Sequence, residues 1–421
     1  MFYVFDFYKR IINLPQPIWI KIRTFYMTIL IQGRLVAMRF LHTSDWHLGR
    51  IFHGVHLTDD QAYILDQFIE LIQDVKPDAV LVAGDVYDRS VPPIEAVKLL
   101  DETMTRILLD CRVPVIMIAG NHDSPERLGF GTRLLARQGL HVVSRINDAP
   151  APVILDDAHG PVYFCPVPYA EPPVVREVLS VTDALEHDGA MRLLTGRLLA
   201  RVPAGARTVA LAHAFVAGGE ASDSERPLSV GGTGTVDCSC FQNFHYTALG
   251  HLHGPQRAGS AGIRYAGSLL KYSFAESASR KSVTLVEMDG AGELQIEEIA
   301  LTPRRDVRCL TGYLDELITM NGDNLNRDDY LMVSLMDTGA ILDAIGKLRL
   351  VYPNLLHIER PGLAGAGELR GPGGDHRRVS EADLFASFFE QVTGEHLQHD
   401  LQQTFAETLA SLYRQEREAQ A

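Results

Sequence analysis

Five short apolar runs in this chain stop in the same way. "RFLHT", "DAVLVAG", "VPVIMIAG", "RTVALAH" and "YTALGH" are rich in Val, Ile, Leu and Ala and largely uncharged. Runs of this kind suit strands covered on both faces, as in parallel sheets. Each leads into side chains that can bind metal. Asp45-Trp46-His47 follows the first, Gly84-Asp85-Val86-Tyr87-Asp88 the second and Gly120-Asn121-His122-Asp123 the third. His213 closes the fourth, and the fifth ends in Gly250-His251-Leu252-His253. In α/β sheets the loops beyond the carboxyl ends of strands line the functional crevice, so five such loops can converge on one place.

The segments between the runs complete an α/β pattern. Residues 59–75 set Tyr63, Leu65, Phe68, Leu71 and Ile72 at roughly helical spacing, and Pro92-Pro93 opens a second helical stretch reaching about residue 109. "IRYAGSLL", "KSVTLVEMD" and "GELQIEEIA" read as later strands. Residues 216–236 are Gly- and Ser-rich and are expected to form a mobile loop. Residues 38–300 are therefore read as one α/β domain. Residues 301–361 read as a smaller strand–helix–strand unit, through "DDYLMVSLMD", "AILDAIGKLRLVY" and "LLHIER". A glycine-rich linker, 362–379, precedes a tail, 380–421, read as two amphipathic helices. Ser380 and Asp383 resemble a capping box; Leu384, Phe385, Phe388, Phe389 and Val392 line one face, and Leu401, Phe405, Leu409 and Leu412 line the next.

Charge limits the substrates such a chain can hold unaided. Lys plus Arg is 39 against 53 Asp plus Glu, a formal net charge of −14. An acidic chain binds polyanions poorly unless metal ions, a local patch or a basic partner supply positive charge. The five cysteines (Cys111, Cys165, Cys238, Cys240, Cys309) are few and odd in number, which fits a reducing compartment without a disulfide frame. Residues 1–37 look apolar, yet Lys9, Arg10, Lys21, Arg23 and Arg34 interrupt them. Their uncharged runs, 11–20 and 24–33, are each half of the roughly 20 residues that a spanning helix needs. They read as an N-terminal extension ahead of Met38, the expected initiator; an amphipathic surface segment is the alternative. No membrane association and a cytoplasmic location are expected.

Imidazole and carboxylate together suit Mn, Fe or Zn better than an all-oxygen Mg site. Two divalent ions about 3.5–4 Å apart can share a carboxylate and a water, lower the water's pKa and clamp a phosphoryl oxygen. An Asp after a strand is usually a turn residue and a lone His usually a core residue, and His42, His53 and His56 fall in that class. Five strand ends in sequence, each bearing such residues, call for more than turn chemistry.

"DWH", "GDVYD", "GNHD", "H" and "GHLH" in this order resemble the calcineurin-like metallophosphoesterase superfamily. "MRFLHTSDWHLGR", "VAGDVYDRSVPP", "AHAFVAGGEASDSERPLSVGG", "YAGSLLKYSFAE" and "YPNLLHIERP" are similar, more closely, to its nuclease subunits that work with an SbcC-type coiled-coil ATPase. The resemblance runs from Met38 to the C-terminus. It implies a four-layer α/β/β/α metallophosphoesterase core, a small α+β capping domain at 301–361 and a C-terminal helical hairpin. It implies Asp45, His47, Asp85 and His253 on one metal and Asp85, Asn121, His213 and His251 on the other, Asp85 bridging. His122 matches the residue that protonates the leaving oxygen or steadies the transition state, and Asp88 a carboxylate that orients it. Arg89 either contacts phosphate or is a solvated loop residue, and Asp123 either supports the ligands or only makes a turn. Mn²⁺ is the implied metal. DNA is the implied substrate, cut 3′→5′ from duplex ends and internally in single strands and hairpins. The implied assembly is a homodimer, through helices near 59–109, within a heterotetramer with the ATPase in DNA repair and recombination. The tail either docks on that ATPase or folds back on its own domain. Two other readings share the motifs: a phosphatase or small-molecule phosphodiesterase on the same two-metal core, and a non-enzymatic subunit that tethers DNA ends.

Overall fold

The computed structural model describes residues 37–147, 151–222, 225, 234–319, 326–337, 341–361, 381–393 and 395–419. The extension at 1–36, most of the loop at 223–233, the linker and Ser380 of the expected capping box lie outside the described residues, as do the side chains of Asp383, Leu384, Val392 and Leu412. Two compact units divide between Arg304 and Arg305.

Twelve strands build the two large sheets of the first unit: β1 Met38–Thr43, β2 Ala79–Ala83, β3 Val115–Ile118, β4 Leu140–Val143, β5 Val153–Asp157, β6 Gly160–Val167, β7 Arg207–His213, β8 Tyr246–Gly250, β9 Gln256–Ala258, β10 Ser260–Tyr265, β11 Ser282–Met288 and β12 Leu294–Ala300. They form two six-stranded sheets, ordered β12-β11-β1-β2-β3-β4 and β9-β10-β8-β7-β6-β5. The strands that carry the motifs are parallel: β1 to β2 and β2 to β3 in the first sheet, β7 to β8 in the second. Every residue of β1, β2, β3, β7 and β8 is buried, which is why these runs lack the polar alternation of a half-exposed strand.

One apolar layer lies between the sheets. Met38, Phe40, Ala79, Leu81, Ile116 and Ile118 meet Val162, Phe164, Val209, Leu211, Tyr246 and Ala248. The Phe40 ring stands edge-on to Phe164 and Tyr246, with centroids 5.8 and 5.4 Å away. Each fully buried side chain of this size contributes about 1.5–3 kcal/mol. On the outer face of the second sheet, Ala210, Ala212 and Leu249 pack with Val175 and Leu179 of α3 (Pro172–Leu179) and with Met191, Leu194 and Leu198 of α4 (His187–Leu199). Leu41, Val80, Val82 and Met117 alternate to the outer face of the first sheet and are equally buried. Helix α1 (Thr58–Val75) offers that face Ile64, Leu65, Phe68, Ile69 and Ile72; α2 (Ile94–Thr105) follows β2. Helix α1 ends where Lys76 turns left-handed, its N–H returning to the Ile72 carbonyl, ahead of Pro77. The result is the α/β/β/α layering.

The second unit holds a parallel three-stranded sheet in the order β13 (Val307–Gly312), β14 (Tyr330–Leu335), β15 (Leu355–Glu359). Leu314 and Leu317 of α5 (Leu314–Thr319) and Leu348 of α6 (Ala344–Arg349) close its core with Leu331, Val333, Leu335, Tyr352 and Leu355. β13 and α5 have no counterpart in the sequence reading, and α6 is shorter than its apolar pattern suggested. Two further helices follow, α7 (Glu381–Thr393) and α8 (His399–Ala419), with Phe385 stacked on Phe405 at 4.0 Å. Among the described residues, no helix is long and apolar enough to cross a membrane.

Candidate metal centre

The strand ends turn sharply, and four of the expected ligands bear the strain. Asp45, His47, Asp85 and His251 hold positive φ values of 53°, 45°, 49° and 108°. Such conformations cost a non-glycine residue on the order of 1–3 kcal/mol and persist where the surroundings fix them, most often at functional sites. The turns also approach one another closely. A Cβ on Gly120 would lie 2.2 Å from Asp85 Oδ1, and one on Gly250 would lie 1.9 Å from the Ala83 carbonyl oxygen. Only glycine lets β3 and β8 deliver their residues against the end of β2.

Asp85 is the hub. Its Oδ2 lies 3.5 Å from His213 Nε2, 3.7 Å from His47 Nε2 and 3.9 Å from His122 Nε2, while Oδ1 accepts the His122 N–H at 2.9 Å. His47 Nε2 and His253 Nε2 point at each other 3.0 Å apart, and Asn121 Oδ1 lies 2.9 Å from His213 Nε2. Three donor groups result, each with ligand atoms within 4.8 Å of one another: Asp45/His47/His253, His47/Asp85/His122 and Asp45/Asp85/His213. The His251 ring stands 5.5 Å from that of His213, centroid to centroid, and the main-chain N–H of His251 donates to both Asp45 oxygens, at 3.0 and 3.2 Å. The structure thus gathers Asp45, His47, Asp85, Asn121, His122, His213 and His253, with the His251 ring beside them. The Arg89 side chain is exposed.

Two backbone carbonyls fix ring tautomers. His213 Nδ1 donates to the Ala83 carbonyl at 2.9 Å, joining the two sheets, and His122 Nδ1 donates to the Asp88 carbonyl at 2.8 Å. A carbonyl only accepts, so in each neutral ring the Nε2 lone pair is left facing Asp85. His122 is therefore oriented by the main chain of Asp88, whereas the sequence reading expected its carboxylate. That carboxylate is engaged by Arg50 at 2.8 Å and lies 3.6 Å from His47 Nδ1. Burial acts to raise its pKa, but His47 and Arg50 outweigh burial and hold it well below the usual carboxylate range.

The electrostatics call for added positive charge. Burial lifts the carboxyls of Asp45 and Asp123 to about 6, with repulsion from Asp85 adding to it. Asp85 is itself pushed up by burial, yet the surrounding imidazoles, His213 foremost, hold it well below the ordinary range. Burial acts to lower His213, but Asp85 and Asp45 raise it to about 9, so on protein charges alone it carries a proton beside them. Burial and the charge of His213 push His251 down to about 3. His47 Nδ1 is buried with no hydrogen-bond partner among the described residues. Facing lone pairs, fixed tautomers and crowded acids are the donor chemistry of a dimetal site, and the residues fit one.

Further residues hold the turns in place. Asp123 accepts the N–H groups of Tyr87, Gly120 and Val86 at 2.9, 2.9 and 3.1 Å, tying the β3 turn to the β2 turn. Two others escaped the sequence reading. Gln61 of α1 donates to the His47 carbonyl at 2.8 Å and accepts the Gly49 N–H at 3.0 Å. Tyr272 donates to the Trp46 carbonyl at 2.5 Å and sets its ring edge-on to His47, centroids 5.5 Å apart. Gln61 had a visible signal, a polar residue on the buried face of an amphipathic helix; Tyr272 lies within the family-like stretch "YAGSLLKYSFAE", which marked the segment but not the residue.

A family model described as calcineurin-like phosphoesterase matches residues 38–254, and one described as the type 5 capsule protein repressor C-terminal domain matches residues 303–393. The chain belongs to the calcineurin-like phosphoesterases. It is 33% identical over 363 residues to the SbcD subunit of nuclease SbcCD from Staphylococcus saprophyticus, an alignment covering 86% of this chain and 94% of that protein. The SbcD subunit from Staphylococcus epidermidis is 30% identical over 363 residues, covering 86% and 95%. Within the family the chain is of the SbcD type, a two-metal phosphodiesterase nuclease.

Proposed function

We propose that the chain is the DNA-cutting subunit of an SbcC–SbcD-type complex, acting in the cytoplasm in DNA repair and recombination. The observation that carries the chemistry is the Asp85 carboxylate oxygen with three imidazole Nε2 atoms 3.5–3.9 Å away. Asp45, His47, Asp85 and His253 would hold one ion and Asp85, Asn121, His213 and His251 the other, with Asp85 shared. Two divalent cations, for which Mn²⁺ suits the mixed imidazole and carboxylate donors, supply a water of lowered pKa and neutralise charge on a phosphoryl oxygen.

The chain's own residues do the rest. Asp85 and the turns around it fix the ligand spacing before substrate arrives, which limits reorganisation during the reaction. His122 is anchored through Nδ1, so Nε2 is the atom that, when the ring is protonated to imidazolium, can give a proton to the departing sugar oxygen. Asp88 holds Arg50 at the rim, where the guanidinium can meet a phosphate; Arg89, exposed, is a second candidate. Residues 301–361 serve as a capping domain that positions DNA, and the paired helices α7 and α8 as the segment that grips the ATPase. The Phe385–Phe405 stack supports a hairpin presenting its remaining apolar side chains, Phe388 among them, to a partner. A homodimer within a heterotetramer is the proposed assembly.

The test is Mn²⁺-dependent digestion of a labelled hairpin, with and without SbcC and ATP, beside a phosphomonoester control. Metal-dependent release of nucleotides from DNA and little turnover of the monoester is the expected result. The reverse pattern would make the chain a phosphatase, and no metal-dependent turnover of either would leave a DNA-tethering role.

A further inference from the structure

A buried ion pair stands behind His253, and the mechanism above makes no use of it. Glu276 lies in the short turn Phe274–Ala278, and Lys281 directly precedes β11. Both are enclosed, at 4% and 6% exposure. Lys281 Nζ lies 2.5 Å from Glu276 Oε2 and donates also to the His253 carbonyl at 2.7 Å and to Ser268 Oγ at 2.9 Å. Glu276 Oε1 accepts the Tyr272 N–H at 3.2 Å and lies 3.7 Å from His253 Nδ1. The opposite ring nitrogen, His253 Nε2, is the one that faces His47 Nε2 at 3.0 Å. The imidazole therefore lies between a fixed carboxylate and the ligand cluster. Its main chain is clamped as well: Lys281 Nζ and the Ser268 N–H, the latter at 3.1 Å, share the His253 carbonyl.

Burying a Lys and a Glu is a poor route to stability, because the desolvation of two charges offsets their attraction. Their position supplies another role. We propose that Glu276, itself held by Lys281, is a positioning residue for His253: it draws the Nδ1 proton to its side of the ring, so that the Nε2 lone pair faces the metal site and gains basicity. Glu276 touches neither substrate nor metal in this arrangement; it acts through the imidazole. The inference rests on the two-metal reading above and deepens it by naming what fixes one ligand.

The test is a Mn²⁺ titration of the full-length chain, followed by calorimetry and by electron paramagnetic resonance. The wild-type chain takes up two Mn²⁺ and shows the signal of a spin-coupled pair. Glu276→Gln weakens one of the two sites by about 10–100-fold, the range expected when such an outer partner is lost. At the same Mn²⁺ concentration the coupled signal then gives way to that of isolated Mn²⁺. Glu276→Asp, which keeps the charge, recovers part of the loss. A purely structural role would lower the melting temperature in chelator while leaving Mn²⁺ affinity and the coupled signal unchanged, and that result overturns the proposal. Should the single variant fail to fold, Glu276→Gln/Lys281→Met removes both charges of the pair together. A folded double variant is expected to show the same weakened site, and wild-type Mn²⁺ affinity in it overturns the proposal equally. If the wild-type chain itself binds fewer than two Mn²⁺, the two-metal reading falls and the inference with it.

Discussion

Strand β7 carries a buried basic side chain at each end, and its surroundings treat the two in opposite ways. At its start, Arg207 meets Asp157 through two hydrogen bonds of 2.6 and 2.7 Å and gives another to the Gly160 carbonyl at 2.7 Å. Arginine there matches carboxylate in charge and geometry, and the cluster is closed. At its finish, His213 faces Asp85 and Asp45, and the nearby basic groups are imidazoles whose Nε2 atoms crowd one carboxylate oxygen. Carboxylates meeting imidazoles rather than arginine leave room for a cation to complete the charge balance. One strand thus has a structural end and a chemical end, and the difference lies in the partner offered to the acid.

Breaking the chemical end should have the largest effect. Asp85→Asn removes the shared carboxylate; loss of several kcal/mol of transition-state stabilisation is roughly 10³-fold or more in hairpin cleavage. It should also lower bound Mn²⁺ below two per chain, which elemental analysis after gel filtration measures. His122→Asn sharpens the comparison within that end. Cleavage should fall by roughly 10²–10⁴-fold while Mn²⁺ stoichiometry stays at the wild-type value, since a proton donor is lost and the ligands remain. Parallel loss of metal would assign His122 to the ligand set instead.

At the structural end, Arg207→Met should cost about 1–3 kcal/mol in denaturant unfolding, because half-buried Asp157 loses its charged partner and keeps the His159 N–H at 2.8 Å. Mn²⁺ binding by the folded fraction should not change. Arg207→Met with Asp157→Leu should recover most of the stability, as replacing both partners of a buried pair usually does. A change in metal affinity in either variant would show that the two ends are coupled.

The smallest effect concerns His42, the penultimate residue of β1, between Tyr246 Oη at 2.9 Å and the Leu249 carbonyl at 3.1 Å. Burial lowers its pKa from 6.5 to about 3. Between those values the unfolded chain takes up a proton that the folded chain refuses. Its contribution to stability is therefore complete above pH 6.5 and declines as the pH falls toward 3, by up to about 1.4 kcal/mol per pH unit. The difference in urea unfolding free energy between the wild-type chain and His42→Asn, followed from pH 7 to pH 5, should show the decline free of the opposite contributions of Asp45 and Asp123.

What was legible in the sequence follows the same division. Strand ends in β1, β2, β3, β7 and β8 could be read because burial on both faces makes each strand a plain apolar run, against which Asp, Asn and His stand out. The parts that support them could not. Tyr272 and Glu276 fall in the family-like stretch "YAGSLLKYSFAE", which does not tell which of its side chains reach the site, and Lys281 lies beyond it. Asp88 was visible, but its main chain rather than its carboxylate meets His122, a choice set by Arg50 from another loop. In the second unit, β13 went unread because "VRCLTG" is only half buried and mixes polar with apolar residues without a strong period. Long-range pairing decides such a strand, with Val307 beside Tyr330 on β14.

The central claim is that side chains from five strand ends enclose a pair of cations around Asp85. Equilibrium titration of the purified chain with Mn²⁺, read by calorimetry and by the spin-coupled resonance of adjacent ions, tests it most directly. The account predicts two Mn²⁺ per chain with a coupled signal that Asp85→Asn abolishes. One ion or none in the wild-type chain, or a coupled pair that survives Asp85→Asn, would contradict it.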